Sequence, residues 1–121
     1  MGSGFDNTTI SSEVLRGYID LMILRVLIDD DSYGYEISKT ITELSQNTFT
    51  MKETTLYSAF ARLAKQGYVD SYPGILSAGR ERTYYFLTKA GEEYYRHKCT
   101  EWEQTKKLIE KFIMGGTQWT Q

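Results

Sequence analysis

The sequence predicts a mainly α-helical domain with one small β-hairpin and a long helix at its C-terminal end. Three observations carry that prediction. Three stretches of helical period follow one another between residues 12 and 66; two short Tyr-rich runs flank a turn between 68 and 87; and a last helical stretch of about 26 residues begins at Thr88. A chain of 121 residues suits one domain, and a domain this small often gains stability by oligomerising. With 40% apolar and 25% charged residues the composition is globular, without repeats or low-complexity tracts.

The first stretch, SEVLRGYIDLMILRVLI (12–28), has one apolar row at Val14, Tyr18, Leu21, Met22 and Val26 and a second at Leu15, Ile19, Ile23 and Leu27. Two apolar faces imply a helix covered on both sides, the second cover coming from another subunit. DDDS (29–32) breaks the pattern, and Asp31 or Ser32 is placed to cap the next helix. That helix, about Tyr33 to Gln46, turns Ile37, Ile41 and Leu44 inward and Lys39 and Glu43 to water. Thr50 and Glu53 have capping-box spacing, so a third helix runs from about Met51 to Gln66 with Leu56, Phe60 and Leu63 inside. Gly67 is suited to a left-handed stop. YVDSYPG (68–74) is a strand ended by Pro73-Gly74, followed by a turn at Ser77-Ala78-Gly79 and a second strand RERTYYFL (80–87). Thr88 caps the final helix, which Gly115-Gly116 stops near Met114. Its positions Tyr95, Cys99, Trp102, Ile109 and Ile113 step by four and three with one beat missing at Lys106, a seam for another helix.

Charge locates the functional surface. Residues 1–49 hold 8 acids and 3 bases, residues 90–121 hold 5 of each, and residues 50–89 hold 6 bases against 3 acids. The net charge of −2 therefore conceals a basic middle third. From Thr54 to Gln66 there is no acid at all. Three helices and then a hairpin is the order of a winged helix-turn-helix, whose third helix enters the DNA major groove. A helix between two phosphate rails excludes carboxylates, and small residues let it approach base edges. Thr54, Thr55, Ser58, Ala61, Arg62 and Lys65 meet both demands, with Lys52 and Tyr57 completing the candidate face. Arg80 and Arg82 on the hairpin would contact the backbone or minor groove. The bland alternative is a solvated helix beside a solvated hairpin.

Other chemistries find little support. Cys99 is the only cysteine, which excludes an internal disulfide or a cysteine zinc cage and suits a reducing cytoplasm. His97 is the only histidine, and its spacing from Cys99 points the two side chains apart on a helix. Asp29-Asp30-Asp31 lacks the downstream Gly and Glu of a calcium loop. No phosphate-binding glycine loop, signal peptide or membrane span is evident; Ile19 to Ile28 is too short and contains Asp20 and Arg25. No enzyme activity, metal or cofactor is expected. The opening MGSG has the look of a cloning remnant. Residues 1–10 are assigned to that remnant and an arm, 11–88 to the winged domain, 89–114 to a dimerisation helix and 115–121 to a flexible tail.

YGYEI (33–37), TLYSAFARLAKQGYV (55–69), GRERTYYFLTKAG (79–91), the run LRGYIDLMIL in the first helix and a last helix holding Trp102 resemble the PadR family of bacterial transcriptional regulators. The likeness spans roughly residues 12 to 114. It implies a homodimeric winged-helix repressor whose C-terminal helix pairs with its own copy and with the partner's first helix. It also implies an inverted-repeat operator and, in several members, release by a small aromatic compound. Two departures stand out: Ala61 leaves the recognition helix less basic than in many members, and Glu81 lies between Arg80 and Arg82. Fewer bases imply a modest, salt-sensitive affinity. In the multidrug-sensing branch a Trp on the last helix stacks flat ligands across the two-fold. Trp102 accordingly has two readings, effector platform or dimer core, and Tyr18, Tyr94, Tyr95, Cys99 and Ile109 are its neighbours on that seam. Two alternatives to the inducible repressor remain: a constitutive repressor without ligand, and a winged helix that docks proteins and has no DNA role.

Overall fold

The computed structural model describes residues 10–75 and 81–113. The turn at Ser77-Ala78-Gly79, Arg80, the Gly115-Gly116 stop, most of the N-terminal arm and the tail lie outside the described residues. The elements run α1 (Ser12–Leu15), a 3-10 turn (Arg16–Tyr18), α2 (Ile19–Asp29), β1 (Ser32–Tyr33), α3 (Gly34–Leu44), α4 (Glu53–Lys65), β2 (Val69–Ile75), β3 (Glu81–Leu87) and α5 (Lys89–Glu110). Ile23, Leu24 and Leu27 of α2, Ile37 and Ile41 of α3, and Leu56, Ala59, Phe60 and Leu63 of α4 form one core with Met51 and Val69. This is the helix-helix-helix-hairpin-helix order expected of a winged helix.

Several local expectations are corrected. The single helix over 12–28 is broken: Gly17 weakens the helical backbone, Tyr18 leaves the helical region at φ −116, ψ 2, and its ring turns edge-on to Trp102 on α5. A two-stranded hairpin becomes a three-stranded antiparallel sheet in the order β1-β3-β2, because Ser32 and Tyr33 pair with Tyr85 and Tyr84. Ser32 is therefore a buried strand residue and not a cap; Tyr33 holds the N-cap position without a side-chain bond. Asp31 instead accepts a hydrogen bond from the Tyr72 hydroxyl at 2.7 Å.

The Thr50–Glu53 capping box does not form either. Met51 is buried in the core, and Lys52 beside it has extended backbone and becomes the N-cap of α4 without a side-chain bond. Leu44 lies 57% exposed in the single chain and is not inward. Pro73 and Gly74 do not end β2, which runs on to Ile75; β2 is an edge strand, where a missing N–H is tolerated. The last helix stops at Glu110, with residues 111–113 in a turn.

One expected helix stop and one expected helix start are observed. Gly67 has φ +81, and the bonds Gly67 N–H to Ala64 and Tyr68 N–H to Leu63 close α4 as a Schellman motif. Thr88 caps α5, its hydroxyl accepting from the Gly91 N–H at 3.0 Å and donating to the Gly67 carbonyl at 2.6 Å. The end of α4 and the start of α5 thus share one joint. Gly91 presses against the Tyr68 carbonyl, Thr88 N–H donates to the same oxygen, and Tyr68 stacks on Tyr94 at 4.1 Å.

Candidate nucleic-acid interface

The face of α4 is built from the inside out. Leu56, Ala59, Phe60 and Leu63 bury one side of the helix, which turns Thr54, Ser58, Ala61, Arg62 and Lys65 to the surface and leaves Thr55 half-buried. Phe60 stacks on Tyr85 of β3 with centroids 3.9 Å apart, so the helix and the sheet are fixed to each other. Lys52 is exposed at the N-cap. Tyr57 has a bracing role as well as an exposed edge: its ring meets Phe60 edge-on at 5.4 Å and lies over Gly34, where any Cβ would strike the phenol.

Arg82 is the described basic residue of the hairpin among those expected at DNA. It pairs with Gly74 across the sheet, is half-buried, and carries its guanidinium 4.0 Å above the Tyr33 ring. This cation–π contact holds the base beside Tyr35 and Tyr57, with which it lines one depression. Arg62 is not free. Its Nη2 donates to Oδ1 of Asp20 at the start of α2, in an ion pair whose carboxylate is the more buried partner.

Sequence reasoning missed four residues at this surface. Asp20 and Arg16 border a groove of ≈ 440 Å³ together with Thr54, Thr55, Ser58 and Arg62. Arg16 is exposed, and among the described residues no carboxylate pairs with it. Tyr33 and Tyr35 flank Arg82. The clue for Arg16 and Asp20 was two charges bracketing Gly17 in an apolar run. The partner of Asp20, 42 residues away, has no local signal.

The seam residues divide into two sites. Tyr18 and Trp102 meet with centroids 5.5 Å apart and border a depression of ≈ 380 Å³ with Lys98, Glu101 and Thr105. Lys98 is bound to Glu101 at 3.0 Å, which lowers the Glu101 pKa through that bond and raises that of Lys98. Tyr95 and Cys99 instead line a larger, apolar cleft of ≈ 520 Å³ with Leu21, Met22, Leu44 and Phe49. Burial, then the bond to Cys99, raises the Tyr95 pKa. Ile109 is exposed near the end of α5 beside Leu108, Phe112 and Ile113. Among the described residues no group of His, Cys, Asp or Glu is placed to hold a metal ion, and no helix is long and apolar enough to cross a membrane.

Known proteins agree with this architecture. Residues 23–97 match the model of the transcriptional regulator PadR-like family. A solved transcriptional regulator from Clostridium thermocellum is 56% identical with a TM-score of 0.80, over 87% of this chain and 99% of that one. A PadR family transcription regulator from Clostridium difficile is 36% identical with a TM-score of 0.70, over 80% of this chain and 99% of that one. An uncharacterized protein of Lysinibacillus sphaericus is 40% identical over 106 residues, covering 88% of this chain and 97% of its own. With the family model spanning more than half of its length and the winged architecture in place, the chain belongs to the PadR-like family of transcriptional regulators.

Proposed function

We propose that the protein is a homodimeric repressor that grips an inverted-repeat operator with α4 and the hairpin and is released by a small aromatic effector. The observation that supports it best is the outward face of α4. From Thr54 to Gln66 it carries no acid, its Thr54, Ser58, Arg62 and Lys65 are exposed, and the hairpin's Arg82 stands beside it across Tyr57. Such a face suits a phosphate-lined groove. Thr and Ser hydroxyls and the Lys52 and Lys65 ammonium groups meet phosphates, and the small side chains let the helix come close to base edges.

The open cleft lined by Leu21, Met22, Leu44, Phe49 and Tyr95 and the exposed Leu108, Ile109 and Phe112 fit a second copy, the last helix of one chain seated against the other. Two α4 helices would then stand about one DNA turn apart, roughly 34 Å, on a near-palindrome. The effector's place is the Tyr18–Trp102 depression, where a flat aromatic stacks on the indole and changes the angle between the long helices. As a switch it must favour the DNA-incompetent state by about 1–3 kcal/mol.

Fluorescence anisotropy on the DNA upstream of the protein's own gene, against scrambled DNA at two salt concentrations, tests this directly. Selective binding that falls steeply with salt is expected. Equal binding to both duplexes, unaffected by salt, would leave the winged helix as a protein-docking module. A flat aromatic dye that quenches Trp102 without weakening operator binding would reduce the protein to a constitutive repressor.

A further inference from the structure

Arg62 meets the groove already charge-paired. Asp20 sits in the first turn of α2, where the helix dipole favours a carboxylate, and its side chain is 16% exposed against 48% for Arg62. Arg62 occupies the last turn of α4, and helical side chains lean back towards the N-terminus. Its guanidinium therefore lies over the turn of Ser58 and Thr55, with which it lines the groove. The ion pair uses one Nη2 donor and one carboxylate oxygen, leaving four of the five guanidinium N–H donors unspent.

The chemistry of that arrangement selects a partner. A carboxylate within bonding distance of Arg62 repels phosphate and cancels most of the attraction the guanidinium would offer it. A fixed, charge-compensated fork suits instead a neutral group with two adjacent acceptors. Guanine offers O6 and N7 in the major groove, spaced for two parallel N–H bonds. A simple staple between α2 and α4 would need neither the exposed fork nor its place beside Thr55 and Ser58, and an ion pair whose guanidinium is half open to water adds little to stability.

We infer that Asp20 is a positioning residue that sets the Arg62 guanidinium at the angle needed to read a guanine. The inference rests on the DNA-binding reading above. Asp20 acts through Arg62 and touches no base itself. Removing it frees the fork to rotate, so selectivity falls while charge-driven affinity for any duplex is kept or rises, a negative charge having left the groove.

The test starts from a duplex DNA pool with a randomised core of about two helical turns, selected on the full-length protein. Each guanine of the enriched duplex is then replaced by 7-deazaguanine, which pairs normally but lacks the N7 acceptor. Wild type is expected to lose about tenfold in affinity at one guanine per half-site. Asp20→Asn and Arg62→Lys are each expected to lose that sensitivity, while Asp20→Asn binds unselected duplex as tightly as wild type or more tightly. Adding Asp20→Asn to Arg62→Lys should change the guanine sensitivity no further. Asp20→Glu, which keeps the ion pair and shifts the fork, guards against a folding defect in the neutral variant and should also lose the sensitivity.

If Asp20→Asn keeps the full 7-deazaguanine penalty, or if no guanine in the wild-type scan depends on Arg62, the positioning role is overturned. Enrichment of no sequence at all would overturn it together with the DNA-binding reading, whereas selective wild-type binding with an indifferent Asp20→Asn sinks the inference alone.

Discussion

Glycines show most directly how single residues fix this molecule. At Gly91 a Cβ would lie 2.0 Å from the Tyr68 carbonyl oxygen and 2.9 Å from its carbon, and backbone cannot step aside. Gly91→Ala is expected to cost about 2–3 kcal/mol, read as a lowered urea midpoint. At Gly17 nothing lies within 4 Å, so Gly17→Ala should be neutral or slightly stabilising in the same measurement. Gly67 was legible from sequence alone, since a glycine directly after a helical apolar row marks a left-handed stop. Gly91 was not, because its necessity comes from a carbonyl 23 residues earlier that only the folded chain brings near. The same limit hid the Asp20–Arg62 pair. Local pattern finds a residue's backbone role and cannot find its distant partner.

Among the elements, periodicity found the three core helices and both hairpin strands, since Ile37, Leu56, Phe60 and Leu63 repeat at helical spacing and all bury. The strand β1 escaped notice because two residues carry no period. The capping box failed for a related reason: a buried Met51 outweighed a locally favourable cap worth about 1 kcal/mol. Tyrosine ties the hairpin to its neighbours: Tyr85 stacks on Phe60 of α4, Tyr84 meets Tyr33 of β1, and Tyr72 bonds Asp31 in the loop before β1. Burial raises the Tyr85 pKa, and the hydrogen bond to Asp31 raises that of Tyr72. Raised values mean that the neutral phenols stabilise the fold. That contribution is complete below the unfolded pKa of about 10 and is lost as pH climbs through the higher folded values. Urea midpoints should therefore hold level from neutrality to about pH 9 and fall above pH 10, and Tyr85→Phe should blunt the fall. A midpoint that rose with alkali would contradict the burial of Tyr85.

For the molecule as a whole, the exposed apolar end of α5 and the open cleft against α2 and α3 are two halves of one proposed contact. Ile109→Glu places a charge in that contact without disturbing the core, so it should yield a folded monomer in sedimentation equilibrium. A variant that stays dimeric would put the seam elsewhere. Sequence pattern expected one seam where the structure has two sites: Tyr18 and Trp102 border one depression, Tyr95 and Cys99 another, the 3-10 break at Gly17 setting Tyr18 apart from the cleft. The joint at Gly67, Thr88 and Gly91 bears on motion. It seals the foot of a 22-residue helix to the end of α4, making the helix a lever about 33 Å long whose short arm is α4, the helix proposed to enter the DNA. A tilt of about 10° about that foot would displace its far end by about 6 Å, which is the stroke the proposed effector would have to supply.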